Sequence, residues 1–200
     1  MKKGKSYFNR LLVADGETTG LCFGGVDPSH NEIDRYQLVS LGLIVVDADT
    51  LLPLEKLYVE LKWDGKSVWS DGAQRVHGLS KEYLEANGVS SQEAVELVAD
   101  LILRHWGTLG PINICGNNPW FDKCFIVDMF ANEGIVLKTA ARLVDTNSIG
   151  FAVFGTYDSD ELFSLITDGD RPVKHNALHD AEMALQVLST VRQLSNVMLS

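Results

Sequence analysis

The chain has 200 residues, 46% of them hydrophobic and 22% charged, which suits one soluble domain, residues 1–200, with a core of its own. Its 17 Lys and Arg against 27 Asp and Glu leave a net charge of −10, which excludes holding nucleic acid by broad phosphate neutralisation. No run approaches the ~18–20 apolar residues that span a bilayer, and the basic start, residues 1–7, leads into too short an apolar stretch for a secretory signal and reads as a tail.

Three segments rich in Val, Leu and Ile read as strands: Phe8–Ala14, Gln37–Asp47 and Leu54–Lys62, the last two joined by the short turn Asp47-Ala48-Asp49-Thr50. Ser90–Trp106 reads as a helix, with Ala94, Leu97, Val98, Leu101 and Ile102 on one face and Ser90 or Ser91 as its cap. Pro111–Cys115 is a short strand, followed by a helix over Trp120–Asn132 that stops at Gly134, a strand at Arg142–Val144, and a final helix from about Ala177 to Leu194. Strands first, then alternating helix and strand, make a mixed sheet with helices on its faces. The polar segments 20–36 and 156–174 are expected to be long loops, which are more often functional or mobile than filler. Cys22, Cys115 and Cys124 show no paired metal-type spacing and point to reduced thiols in a cytoplasmic setting.

Three polar segments interrupt this pattern. Asp15-Gly16-Glu17-Thr18-Thr19-Gly20 stands at the end of the first strand, where residues i and i+2 share a face, so Asp15 and Glu17 aim together. Two carboxylates held that close repel unless a cation lies between them, and oxygen donors suit Mg²⁺ or Mn²⁺ better than Zn²⁺. A polar strand end turning into a loop uses the same residue types. A phosphatase of the haloacid dehalogenase type also opens at a strand end, but the second acid here is Glu17 and no lysine-bearing motif completes that pattern.

Cys115-Gly116-Asn117-Asn118-Pro119-Trp120-Phe121-Asp122 leads from a strand into a helix. Alone it is a sound helix start: Asn118 can cap, Pro119 suits the first helical position, and Asp122 complements the helix dipole. His175-Asn176-Ala177-Leu178-His179-Asp180 opens the last helix. A zinc site on His175 and His179, spaced i and i+4, lacks both the usual Glu at the second position and a suitable cysteine pattern. The bland alternative is an exposed histidine at a helix start.

Taken together, Asp-x-Glu-Thr-Thr-Gly, Asn-x-x-Phe-Asp and His-x4-Asp resemble, in order, the three exonuclease motifs of the DEDD superfamily. Within it they resemble the His-containing group, DEDDh, that includes DnaQ-like proofreading exonucleases, RNase T and oligoribonuclease. Val76-His77-Gly78-Leu79-Ser80 is similar to a further short signature of DnaQ-like members, and Leu143-Val144-Asp145-Thr146 to the strand-to-helix step before the last helix region. The likeness spans roughly Leu11 to Leu188.

The resemblance implies a ribonuclease-H-like α/β fold whose mixed central sheet is flanked by helices and begins with three antiparallel strands. It implies 3′→5′ hydrolysis of single-stranded DNA or RNA ends with two divalent ions, Mg²⁺ or Mn²⁺. Asp15, Glu17, Asp122 and Asp180 would be metal ligands and His175 the general base. Thr18 and Thr19, with Phe23, Asn118 and His77, would meet the 3′-terminal nucleotide. Such chemistry is sound in itself: two ions stabilise the attacking and leaving oxygens of an in-line displacement, and imidazole is the side chain best suited to take a proton near neutral pH. A homodimer or a polymerase partner is compatible with the resemblance, although a stand-alone enzyme fits the length better. An oligoribonuclease-like enzyme on short RNA, and a binding module that keeps the fold without catalysis, are the alternatives; the complete acidic set and His175 argue against the second.

Several features depart from the pattern. Gly16 stands where a bulkier residue is usual and is expected to loosen the strand end. The Cys22–Tyr36 loop is long enough for an added flap against substrate. Asp158, Asp160, Glu161, Asp168 and Asp170, before Arg171 and Lys174, discourage a long duplex. Lys62, Lys66, Arg75 and Lys81 near Trp63 and Trp69 offer either a single-strand stacking track or a solvated face over two partly buried indoles.

Overall fold

The computed structural model describes residues 9–21, 35–167 and 175–199. The basic tail, Cys22, Phe23, most of the 20–36 loop and the end of the 156–174 loop lie outside them. Five strands, β1 (Arg10–Thr18), β2 (Leu38–Asp47), β3 (Pro53–Glu60), β4 (Ile114–Gly116) and β5 (Val144–Asp145), form one sheet in the order β3-β2-β1-β4-β5. The first three are antiparallel, and β4 and β5 run parallel to β1, so the expected mixed topology is present.

Side-chain alternation on β1 divides the molecule into two layers. Leu12 and Ala14 face α3 (Ser91–Trp106) and α4 (Pro119–Asn132), in a core with Leu41, Leu43, Val98, Ile102 and Phe130. Leu11 and Val13 face α7 (Ala177–Leu199), in a second core with Ile44, Val46, Ala181, Ala184 and Leu188. Covered on both faces, β2 is buried at every position but its last, which is why it reads as a nearly continuous apolar run. Among the described residues no helix is long and apolar enough to cross a membrane.

The local signals act as expected at several ends. Ser90 Oγ accepts the Glu93 N–H and starts α3. Asp47 Oδ1 accepts from the Asp49 and Thr50 amides at 3.1 and 3.0 Å and shapes the β2–β3 turn. Three expectations need correction. The strand beginning at Arg10 runs on through the first motif to Thr18, with a bulge between Glu17 and Thr18, so Gly16 sits inside a paired strand rather than at a loosened end. The 156–174 segment contains a helix, α6 (Ser159–Thr167): Asp158 Oδ1 accepts the Asp160 and Glu161 amides at 2.9 Å each, so part of the acidic run is a helix cap and first turn. Asn118 does not cap α4. It adopts a left-handed conformation, with φ 54° and ψ 55°, where a side-chain cap would need extended backbone.

Three further helices were not read from the sequence. Val76 to Ser80 forms a corner between α1 (Asp71–His77) and α2 (Lys81–Asn87), with Ser70 and Ser80 as N-caps and Gly78 ending α1 at φ 74°. Asp145 caps α5 (Thr146–Phe154).

Candidate active site

The candidate residues gather where β1 ends, around the N-terminal turns of α4 and α7. Asp15 and Glu17 share the α7 face of β1, paired to Gly42 and Ser40 of β2. The first turn of α7 is set by Asn176, whose Oδ1 accepts the Leu178 and His179 amides at 3.1 and 3.2 Å. This cap holds His175 just outside the helix and Asp180 one turn inside it. The His175 Nδ1 lies 3.4 Å from Asp180 Oδ2, with the imidazole half-exposed and the carboxylate buried. Among the described residues, Glu17, His175 and Asp180 each present a ligand atom within 4.8 Å of the others. Asp15 stands two positions before Glu17 on the same strand face but outside that tight trio. His179 is exposed and takes no part in it.

Asp122 reaches the site from the opposite face of the sheet. It is 3% exposed, and its Oδ1 accepts the Gly16 N–H at 2.9 Å. Burial pushes its pKa well above the ordinary carboxylate range; the Gly16 amide opposes this, and the charge of Glu17 adds to it. A buried carboxylate raised in this way beside a second one would be relieved by a cation between them. The donor set, mostly carboxylate oxygens, fits a hard divalent ion. The residues present therefore fit the metal that the motifs imply.

The remaining candidates occupy quieter positions. Thr18 Oγ1 donates to the Gly20 carbonyl at 2.6 Å, and Thr19 Oγ1 accepts the Gln37 amide at 3.1 Å, so both hydroxyls are engaged within the chain. His77 is 4% exposed, accepts the Leu79 N–H on Nδ1 at 3.0 Å, and packs edge-on to Trp69. Burial lowers its pKa to about 4. The Asn118 amide donates to Asp145 Oδ1 at 3.2 Å, on the turn just ahead of Asp122. Phe23 lies outside the described residues. The Trp63 and Trp69 rings pack edge to face at 6.1 Å, with Lys81 Nζ 3.9 Å from the Trp63 ring centre. Their indole N–H groups donate to Ser67 O and Gln74 Oε1, an arrangement that favours a packed corner over a stacking track.

Two features escaped the sequence reading. Gly42 lies opposite Asp15 and directly under the first turn of α7. Tyr58 and Glu60, on the same face of β3, form a pair at 2.7 Å, with Ser40 lying between Glu60 and Glu17 across the strands. A glycine inside an otherwise apolar strand was the available signal for the first, and alternation along β3 for the second.

No family model matches the chain. It is 30% identical over 146 residues to an oligoribonuclease of Corynebacterium diphtheriae, a match covering 70% of this chain and 63% of that protein, so it spans under two thirds of the relative's length. Its fold matches the nuclease domain of 3′hExo, a DEDDh family member bound to rAMP, with TM-score 0.68 and 14% identity over 96% of this chain and 95% of that one. It also matches E. coli Exonuclease I in complex with a dT13 oligonucleotide, with TM-score 0.72 and 14% identity over 96% of this chain and 42% of that one. The fold is that of these exonucleases, a mixed ribonuclease-H-like sheet flanked by helices.

Proposed function

We propose that this chain, which shares its fold with DEDDh exonucleases, is itself a DnaQ-like enzyme of that group: a phosphodiester hydrolase that removes nucleotides 3′→5′ from single-stranded DNA or RNA. The observation that carries the reading is the meeting of Glu17, His175 and Asp180 within 4.8 Å, from segments far apart in sequence, with buried Asp122 beside Glu17. Asp15, Glu17, Asp122 and Asp180 would hold two divalent cations, Mg²⁺ or Mn²⁺. When bound, such ions stabilise the charge that develops on the attacking and leaving oxygens of an in-line phosphoryl displacement.

The protein's own groups supply the rest. The His175 imidazole, half-exposed at the mouth of the site, takes the proton of the attacking water, and Asp180 Oδ2 at 3.4 Å stabilises the imidazolium that results. The Gly16 amide and the Asn176 cap hold Asp122 and Asp180 in place before any ligand arrives. The Thr18 and Thr19 hydroxyls are engaged within the chain, so contact with the terminal nucleotide would fall to the backbone at Thr18 and Thr19, and to Asn118, Phe23 and His77. A homodimer and a polymerase partner are both compatible with this reading. Cys115 and Cys124 are free thiols, in keeping with a cytoplasmic enzyme.

A second reading, an enzyme specialised for very short RNA, is favoured by the likeness to an oligoribonuclease. A non-catalytic module has no use for the buried Asp122 carboxylate crowded by Glu17, or for a histidine set against Asp180.

The test is degradation of 5′-labelled single-stranded DNA and RNA, from two to twenty nucleotides, with Mg²⁺, Mn²⁺ or EDTA, and with Asp15→Asn beside the wild type. A metal-dependent descending ladder that vanishes in the variant is expected. Preference for dimers and trimers of RNA would select the second reading. Intact oligomers with folded wild-type protein under every condition would reject both.

A further inference from the structure

We infer that Gly42 is a positioning residue of this active site: the first turn of α7 rests directly on the β2 backbone there, and the missing side chain sets how close His175 and Asp180 come to Glu17. The inference rests on the catalytic reading above and deepens it by naming what controls the assembly of the site.

Glycine weakens a strand interior, and its presence there marks a close approach of other backbone. β2 reads Leu-Val-Ser-Leu-Gly-Leu-Ile-Val-Val-Asp, apolar around Gly42 on both sides. On the catalytic face Gly42 lies between Asp15 of β1 and Tyr58 of β3. A Cβ added at Gly42 would overlap the carbonyl carbon and oxygen of Ala177 and the amide nitrogen of Leu178. All three are backbone atoms, so no rotamer change can relieve the overlap; the helix itself must move.

What would move is a unit. The Asp180 amide donates to Asn176 O at 2.9 Å, and the Asn176 side chain accepts the Leu178 and His179 amides. His175, Asn176 and Asp180 are thus coupled through one hydrogen-bonded turn. The added Cβ would lie 2.3 Å from the Ala177 carbonyl carbon, so restoring ordinary contact at about 3.5–4 Å requires the turn to retreat by roughly 1.2–1.7 Å. The other three proposed ligands, Asp15, Glu17 and Asp122, are held by β1 and α4 and would stay behind. A misplacement of about 1 Å costs on the order of 10²-fold in rate even when every catalytic group is present.

The opposite face of the sheet behaves differently. A Cβ at Gly16 would come 2.6 Å from Leu38 Cδ2, the free end of a side chain that can turn away. Glycine is therefore a strict steric requirement at position 42 and a softer one at position 16.

The experiment compares wild type, Gly42→Ala and Leu188→Ala, the last removing a buried side chain from the same helix–sheet layer far from the site. Mn²⁺ binding is titrated without nucleic acid, and kcat and KM are measured on a labelled oligomer. For a folded Gly42→Ala, Mn²⁺ affinity is expected to fall tenfold or more, roughly, and kcat about 10²-fold, with KM within about threefold. Leu188→Ala should lower Tm yet keep kcat and Mn²⁺ affinity within about twofold. Wild-type Mn²⁺ affinity and kcat in Gly42→Ala, or an equal loss in Leu188→Ala, would overturn the inference. Should Gly42→Ala fail to fold, adding Ala177→Gly frees the first turn to bend. Weak Mn²⁺ binding by that double variant upholds the inference and wild-type binding overturns it. If wild type degrades no nucleic acid, the catalytic reading fails by itself while the Mn²⁺ titration still decides the role of Gly42.

Discussion

The carboxylate of Asp122 accepts the amide of Gly16 at 2.9 Å, joining α4 to the first motif of β1 across 106 residues. Burial raises the Asp122 pKa despite hydrogen bonds from the Gly16 amide and from its own backbone, an arrangement that fits the proposed metal-binding role better than a role in stability. Asp122→Asn keeps the size and can still accept the Gly16 N–H. In EDTA the variant is expected to be at least as stable as wild type in urea, while Mn²⁺ binding weakens by about tenfold and nuclease activity by at least about 10²-fold. A clear loss of metal-free stability would mean that Asp122 serves the fold first.

Gly16 has room behind it only if Leu38 yields. Gly16→Ala is expected to change stability by less than about 1 kcal/mol, because only the end of Leu38 must rotate. Gly16→Val, which also crowds Asp122 Oδ1, at 3.5 Å from the position of a first added carbon, should cost about 1–3 kcal/mol. Urea unfolding of both variants checks the order.

His175 is half-exposed and contributes little to packing. His175→Ala should therefore keep the wild-type Tm while kcat falls by about 10²–10⁴-fold. Its membership in the 4.8 Å trio leaves two roles to separate. As a base it leaves Mn²⁺ affinity within about twofold of wild type, whereas loss of a true metal ligand weakens binding tenfold or more, roughly. The expected outcome is the first.

His77 provides the pH dependence. Its folded pKa is lowered by burial to about 4, while the unfolded chain takes up a proton near the ordinary histidine value of 6.5. The native state binds fewer protons between those values, so stability is level above pH 6.5 and declines as pH falls towards 4. One proton sets a limit of about 1.4 kcal/mol per pH unit. His77→Gln, which keeps an acceptor for the Leu79 amide, should flatten this part of the curve. Urea unfolding at pH 7, 6 and 5 decides it, and an unchanged slope in the variant would assign the decline to other groups.

Much of the site was legible because its parts are local. Alternation alone put Asp15 and Glu17 on one face of β1, and the opening of the last helix at His175 to Asp180 follows from a few adjacent residues, although its Asn176 cap was not singled out. The helix starts after Asn118 as read, but its side-chain cap does not form, for an equally local reason: the turn takes a left-handed residue that Asn tolerates. Helix α6 was missed because its acidic start looked like a loop, although Asp158 followed by Asp160 and Glu161 is also what a capped first turn contains. The Trp63–Trp69 pair could be read either way until their ring contacts and indole partners were known.

By itself, the sequence determined which chemical groups this protein carries, their order, the shared face of Asp15 and Glu17, and the starts of α3, α4 and α7. These depend on periodicity and on hydrogen bonds within a few residues. Only the tertiary structure decided that Asp122 arrives from the opposite face of the sheet, that the Thr18 and Thr19 hydroxyls turn back on the chain, and that α7 rests on bare backbone at Gly42. Those outcomes depend on how closely segments more than a hundred residues apart pack, or on which backbone groups a bulge leaves within reach. Packing distances are set by excluded volume across the whole core, a quantity no short window of sequence contains.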